Sequence, residues 1–239
     1  MKTKSCANRL VIPVIALVAC ATGPGLKAQS LEGINKNGFP LTVGNRWEYR
    51  VGTELNVLSP ALAWPSEAIL EILATEEAHG QQAFHFRTTH RFLLGPDGDQ
   101  TATGDTWFSM QEDTLWGVAS DMVGALDPIS AQLHKAIAQA EPDPWGVRTL
   151  VFPLAVGKSW DFGSVLPQLV DGLTDRKVVE ARETVVVPAG QFETFRVVRL
   201  VESPVLNIRT EQWFAAVGLV KMREELITTD SFRLDHVPA

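Results

Sequence analysis

The chain has 239 residues, 45% of them apolar and 21% charged, with a formal charge of −7. This composition excludes disorder, collagen and low-complexity fibres. An acidic chain without a Lys/Arg cluster lacks the basic density that phosphate neutralisation needs, which excludes nucleic acid as a partner. The length suits one or two domains, large enough to fold without a disulfide or metal staple.

Lys2, Lys4 and Arg9 precede an apolar run from Leu10 to Ala19, interrupted by Pro13. The run is far shorter than the ~20 residues that cross a bilayer, and with its basic flank it reads as an export signal. Leu17-Val18-Ala19-Cys20 resembles the bacterial lipobox. That resemblance implies removal of residues 1–19 as a signal peptide and lipid attachment at Cys20, each buried acyl methylene adding ~0.8 kcal/mol of membrane affinity. The alternative is cleavage after Ala21 or Ala28, giving a soluble periplasmic or secreted protein. Cys6 lies in the removed segment either way, so the mature chain has no disulfide. Loss of residues 1–19 takes three basic residues and no acidic ones, leaving 18 against 28 and a charge of −10. Such a surface does not adhere to anionic lipid, so membrane attachment has to run through Cys20. Residues 20–38, rich in Gly and small polar side chains, read as anchor and flexible tether ahead of a single β domain at 39–239.

From residue 39 the pattern is mainly β. Strands are predicted at 46–52, 68–75 and 84–92; in the last, Phe84, Phe86, Thr88, His90 and Phe92 alternate with polar residues. Gly95-Pro96-Asp97-Gly98-Asp99 is a turn cluster, followed by strands at 105–111 and 115–119. One helix is predicted near 129–140, where Ile129, Leu133 and Ile137 recur every four residues. Asp127 caps it, Pro128 opens it, and Pro142 and Pro144 stop it. A lone helix among strands plugs the open end of a β structure or serves as a lid. Further strands are predicted at 176–187, 193–201, 207–214 and 219–226, with a weaker one at 231–237. Pro188-Ala189-Gly190 joins the first two as a hairpin. The count is about ten antiparallel strands.

An internal repeat underlies them. Phe39-Pro40-Leu41-x-Val43-Gly44-x-x-Trp47-Glu48-Tyr49 returns as Phe152-Pro153-Leu154-x-Val156-Gly157-x-x-Trp160-Asp161-Phe162, with six of eleven positions identical. Gly80-Gln81, Phe86-Arg87 and Trp107-Phe108 find counterparts in Gly190-Gln191, Phe195-Arg196 and Trp213-Phe214, in the same order. The domain therefore divides into units 39–151 and 152–239. In each, the Gly permits a tight turn and the Trp is expected as the first inward plug of the next strand. Four of the seven Trp, namely Trp47, Trp107, Trp160 and Trp213, occupy such positions and are expected in the core.

Pro40–Tyr49, Val187–Phe192 and the run from Trp213 to Lys221 resemble, in that order, three motifs of a recurrent family of exported bacterial β-proteins without assigned function. Ala215-Ala216 stands where that family carries Pro-Gly, so a tighter or differently formed turn is expected there. The resemblance implies an antiparallel sheet curled as an open half-barrel, or a sandwich. It is similar to the lipoprotein carriers and receptors of the bacterial envelope, whose concave face holds an acyl chain.

Catalytic signatures are absent. There is no nucleophile elbow, phosphate loop or dinucleotide fingerprint. His79, His85, His90, His134 and His236 show no metal-ligand spacing; His85 and His90 fall on opposite strand faces, and His90 reads as a hydrogen-bonded core or rim residue. Asp97, Asp99 and Thr101 lack the glycine and terminal Glu of a calcium loop. Glu48 and Asp161, equivalent in the repeat, are the one carboxylate pair with a conceivable hydrolytic role. No cofactor or metal is expected. The expected role is a non-enzymatic envelope protein that binds an apolar ligand on a curved sheet. The alternatives are a scaffold or assembly factor acting on an envelope protein through edge strands or helix 129–140, and a hydrolase.

Overall fold

The computed structural model describes residues 34–55, 62–92, 99–121, 146–163, 171–203 and 206–228, with Pro167. Cys20, the turn residues 95–98, the predicted helix 129–140 and the predicted strand 231–237 lie outside these residues.

The described chain is antiparallel β. Strands β1 (Arg46–Leu55), β2 (Leu62–Ala78), β3 (Gln81–Phe92), β4 (Gln100–Gln111), β5 (Thr114–Asp121) and β6 (Val147–Val151) form one sheet in chain order. Strands β7 (Ser159–Asp161), β8 (Thr174–Val187), β9 (Gly190–Glu202), β10 (Leu206–Ala215) and β11 (Gly218–Thr228) form a second. The expected single sheet of about ten strands is thus corrected to two, of six and five strands. The first is curled into a half-barrel. The division falls between β6 and β7, where a single backbone bond, Arg148 N–H to the Phe162 carbonyl at 2.7 Å, replaces a ladder.

The repeat is visible as hydrogen bonding. The Gly44 amide donates to the Ile72 carbonyl (2.8 Å), and the Ile72 amide returns to the Asn45 carbonyl (2.9 Å). The Gly157 amide donates to Val179 and the Val179 amide returns to Lys158, both at 2.9 Å. Both glycines are left-handed, with φ of 89° and 87°, so the shared Val-Gly step is a backbone requirement of one turn used twice. Directly after each anchor the next strand bulges, at Leu73 in β2 and Glu180 in β8. A second pair of bulges sits at Val118 in β5 and Val220 in β11. Each bulge bends its strand and adds twist, which curls the sheets toward one another.

The core lies between the two sheets. Leu115, Leu150, Phe152, Leu154, Val179, Val197 and Phe214 form its centre. Trp47, Tyr49, Ala68, Ile72 and Phe86 extend it along the first sheet. Ile34 is buried in the centre and its carbonyl accepts from the Leu154 amide at 3.3 Å. Residues 34–38, which composition assigns to the tether, thus belong to the folded body.

Candidate functional site

A partly open cavity of about 200 Å³ lies between the concave face of the first sheet and the β10–β11 hairpin. Its wall is built mainly of rings and aliphatic chains, among them Phe39, Trp47, Tyr49, Phe86, Phe108 and Phe214. Four polar side chains interrupt it: Thr88, Thr106, Thr149 and Gln212, from β3, β4, β6 and β10. Apolar enclosure with a few converging polar groups is the usual character of a small-molecule site.

Two side chains of β1 fasten the hairpin over the sheet. The Trp47 indole N–H donates to the Val217 carbonyl at 2.8 Å, and the Tyr49 hydroxyl reaches the Leu219 carbonyl at 3.3 Å. Burial pushes the Tyr49 phenol well above its ordinary pKa, so it remains a donor. The Ala216-Val217 turn gives way to Gly218, at φ 101°, where a Cβ would stand 3.3 Å from Pro40 and 3.5 Å from the Trp47 indole nitrogen. At this turn the β10–β11 hairpin packs directly against Pro40 and Trp47.

Behind Thr149 and Gln212 lies a buried ionic cluster. Asp175 and Lys177 follow one another on the inward face of β8, and Arg199 stands opposite Lys177 on β9. Asp175, with a fully buried side chain, takes both Arg199 nitrogens at 2.9 and 2.7 Å. The Lys177 ammonium, on a residue only 3% exposed, donates to the Thr149 carbonyl at 3.0 Å and to Gln212 Oε1 at 3.2 Å. That carbonyl belongs to the bulge residue of β6, an extra residue left out of the ladder pairing. Two cations lie over the Phe162 ring, the Arg199 guanidinium at 4.1 Å and the Lys177 nitrogen at 4.9 Å. Desolvation first, then repulsion from Arg199, brings the Lys177 pKa down to about 7, with Asp175 opposing.

A second polar cluster sits on the other face of the first sheet. His85 Nδ1 lies 3.2 Å from Glu76 Oε1, and the ring stacks on Trp107 at 4.7 Å. His85 Nε2 is 3.1 Å from Asp105 Oδ1 but off the hydrogen-bond direction. Hydrogen bonding from Arg87 holds Asp105 below the usual carboxylate range, against a small desolvation. The Trp107 indole donates to Glu76 at 2.6 Å, and the Trp213 indole donates to Glu183 at 2.7 Å in the other unit. Thr194 replaces His85 there and bonds the Glu183 carbonyl at 2.8 Å. The Glu–Trp pair is therefore a structural element of the repeat.

The four repeat tryptophans divide. Trp47 and Trp160 pack into the core and donate to backbone carbonyls, Trp160 to Arg148 at 2.9 Å. Trp107 and Trp213 stand on the faces opposite Phe108 and Phe214; Trp213 is buried in a separate cluster with Val185, Val187 and Val220, while Trp107 is only partly covered. Trp213, 6% exposed, is thus in the core as expected, on the face opposite Phe214, while the core expectation is corrected for Trp107, which is only partly buried beside Glu76. Glu48 is exposed and pairs with Arg46 at 2.7 Å, and Asp161 is exposed opposite Arg176; no contact joins the two acids. Asp99 is paired with Arg91 Nε at 2.9 Å. His90 is partly buried, has an interaction partner, and is lowered in pKa by desolvation. Among the described residues no group of His, Cys, Asp and Glu is placed to hold a metal ion. Sequence reading missed Lys177. Its signal was the alternation Asp175-x-Lys177-x-Val179, which places two charges on an inward strand face. No protein-family model, curated protein or solved structure matches the chain.

Proposed function

We propose that this chain is an exported envelope protein, anchored through Cys20, that binds an apolar ligand between its curved sheets. The cavity carries the reading. It is apolar, partly open and bounded by both sheets, and rigid hydrogen-bonded elements hold its walls. Scaling from the ~150 Å³ cavity that accepts benzene, it has room for an alkyl segment of about eight carbons. The test is displacement of an environment-sensitive dye from the purified mature protein by octan-1-ol, repeated with Leu70→Trp, which fills the cavity from β2. Saturable displacement from the wild type, lost in the folded variant, supports the reading. Displacement that survives Leu70→Trp, or none in either protein, refutes it. Mass measurement of the mature N-terminus tests the anchor separately: an acylated Cys20 is expected, and a chain starting after Ala21 or Ala28 overturns it.

A further inference from the structure

Beside the cavity is a buried group of two cations and one carboxylate. Asp175 uses both oxygens on Arg199. Among the described residues no carboxylate makes salt-bridge contact with Lys177, whose acceptors are a backbone carbonyl and an amide oxygen. A buried ammonium held only by neutral acceptors is costly unless an anion joins it. Both acceptors belong to residues that line the cavity, Thr149 and Gln212. The far side of the Gln212 amide is held weakly, by the Met222 sulfur at 3.7 Å. Swinging Gln212 aside would open the position of its Oε1, 3.2 Å from the ammonium, to a group arriving from the cavity.

We propose that the cavity takes an alkyl carboxylate, its chain among the rings of the first sheet and its head on the Lys177 ammonium in place of Gln212. The inference rests on the cavity being a binding site and adds the class of head group. The ammonium has three donors and two acceptors, so it can bind a carboxylate oxygen and keep the Thr149 carbonyl. The Phe162 ring lies 4.9 Å from the ammonium, and both of its acceptors come from residues that line the cavity, which marks the cavity side as the approach.

The test is calorimetric titration of the mature protein at pH 6 with octanoate, octan-1-ol and octyltrimethylammonium, which share a chain and differ in head. A charge-assisted hydrogen bond favours octanoate over octan-1-ol by about ten-fold or more, with the cationic amphiphile weakest. Lys177→Met is expected to abolish the octanoate preference, bringing octanoate to or below the affinity of octan-1-ol. Octanoate binding no tighter than octan-1-ol in the wild type overturns the inference and leaves the apolar cavity standing. An octanoate preference that persists in Lys177→Met overturns Lys177 as the counter-charge. Binding of none of the three removes the cavity reading and this inference with it. The wild-type series decides the head-group class even where the variant fails to fold.

Discussion

Replacing Lys177 by Met removes a buried charge and keeps the length of the side chain. In the folded protein the ammonium titrates near 7, against an ordinary value of 10.5. That displacement corresponds to about 5 kcal/mol against folding with the lysine charged. The sign follows from proton counting: between about 7 and 10.5 the unfolded chain holds the proton and the folded one does not, so wild-type stability from this group rises with pH. It is complete above the unfolded pKa and lost as pH falls to the folded one. Met lacks this dependence but leaves the Thr149 carbonyl and Gln212 Oε1 without their donor, at about 2 kcal/mol in all. The variant should therefore be about 3 kcal/mol more stable than wild type at pH 6, and level or slightly behind by pH 9.5. Urea unfolding followed by tryptophan fluorescence, run in parallel from pH 6 to pH 9.5, measures the difference while other titrations cancel. Parallel stability profiles for the two proteins would refute a buried lysine at this position.

Asp175→Ala strands Arg199 and Lys177 without their anion, and breaking such a buried pair is expected to cost about 3–5 kcal/mol in chemical denaturation. Adding Lys177→Met should recover part of that loss, and strict additivity would count against a shared cluster. Trp47→Phe keeps an aromatic ring but removes part of the buried indole and its donor to Val217, so about 2–4 kcal/mol should disappear from the unfolding free energy. Gly44→Ala and Gly157→Ala meet no atom within 4 Å and differ from wild type only in backbone strain. Each should lose about 1–2 kcal/mol, and a large difference between the two would break the equivalence of the turns.

Period two made β3 readable, because Phe84, Phe86 and Thr88 face the core while Arg87 and Arg91 face water. The hairpin at Pro188-Ala189 was readable from turn chemistry, and the twin turns from Val-Gly. The strands β6 and β7 were not. In β6 the bulge at Thr149 breaks the alternation, and β7 offers three residues, too few for any period. Without them the strand count fell short, although the repeat boundary at 151/152 lies where the two sheets divide. The tryptophans show a different limit. Trp107-Phe108 and Trp213-Phe214 each place an aromatic on both faces of a strand, and spacing alone does not say that both faces are buried at Trp213-Phe214 while Trp107 is only partly covered. Lys177 was marked by an inward charge, but its meaning depends on Thr149 and Gln212, brought in from β6 and β10 by the tertiary fold.

The clasp from Trp47 to Val217 joins residues 170 positions apart. During synthesis the first unit is therefore complete in sequence long before its last wall exists. Until the β10–β11 hairpin arrives, Trp47, Tyr49 and Phe86 present an open apolar trough to solvent. Closing so long a loop comes late and slowly, since its entropy is lost before any distant contact rewards it. The β10–β11 hairpin is thus the last wall of the cavity to be made, and the trough stays open until it docks.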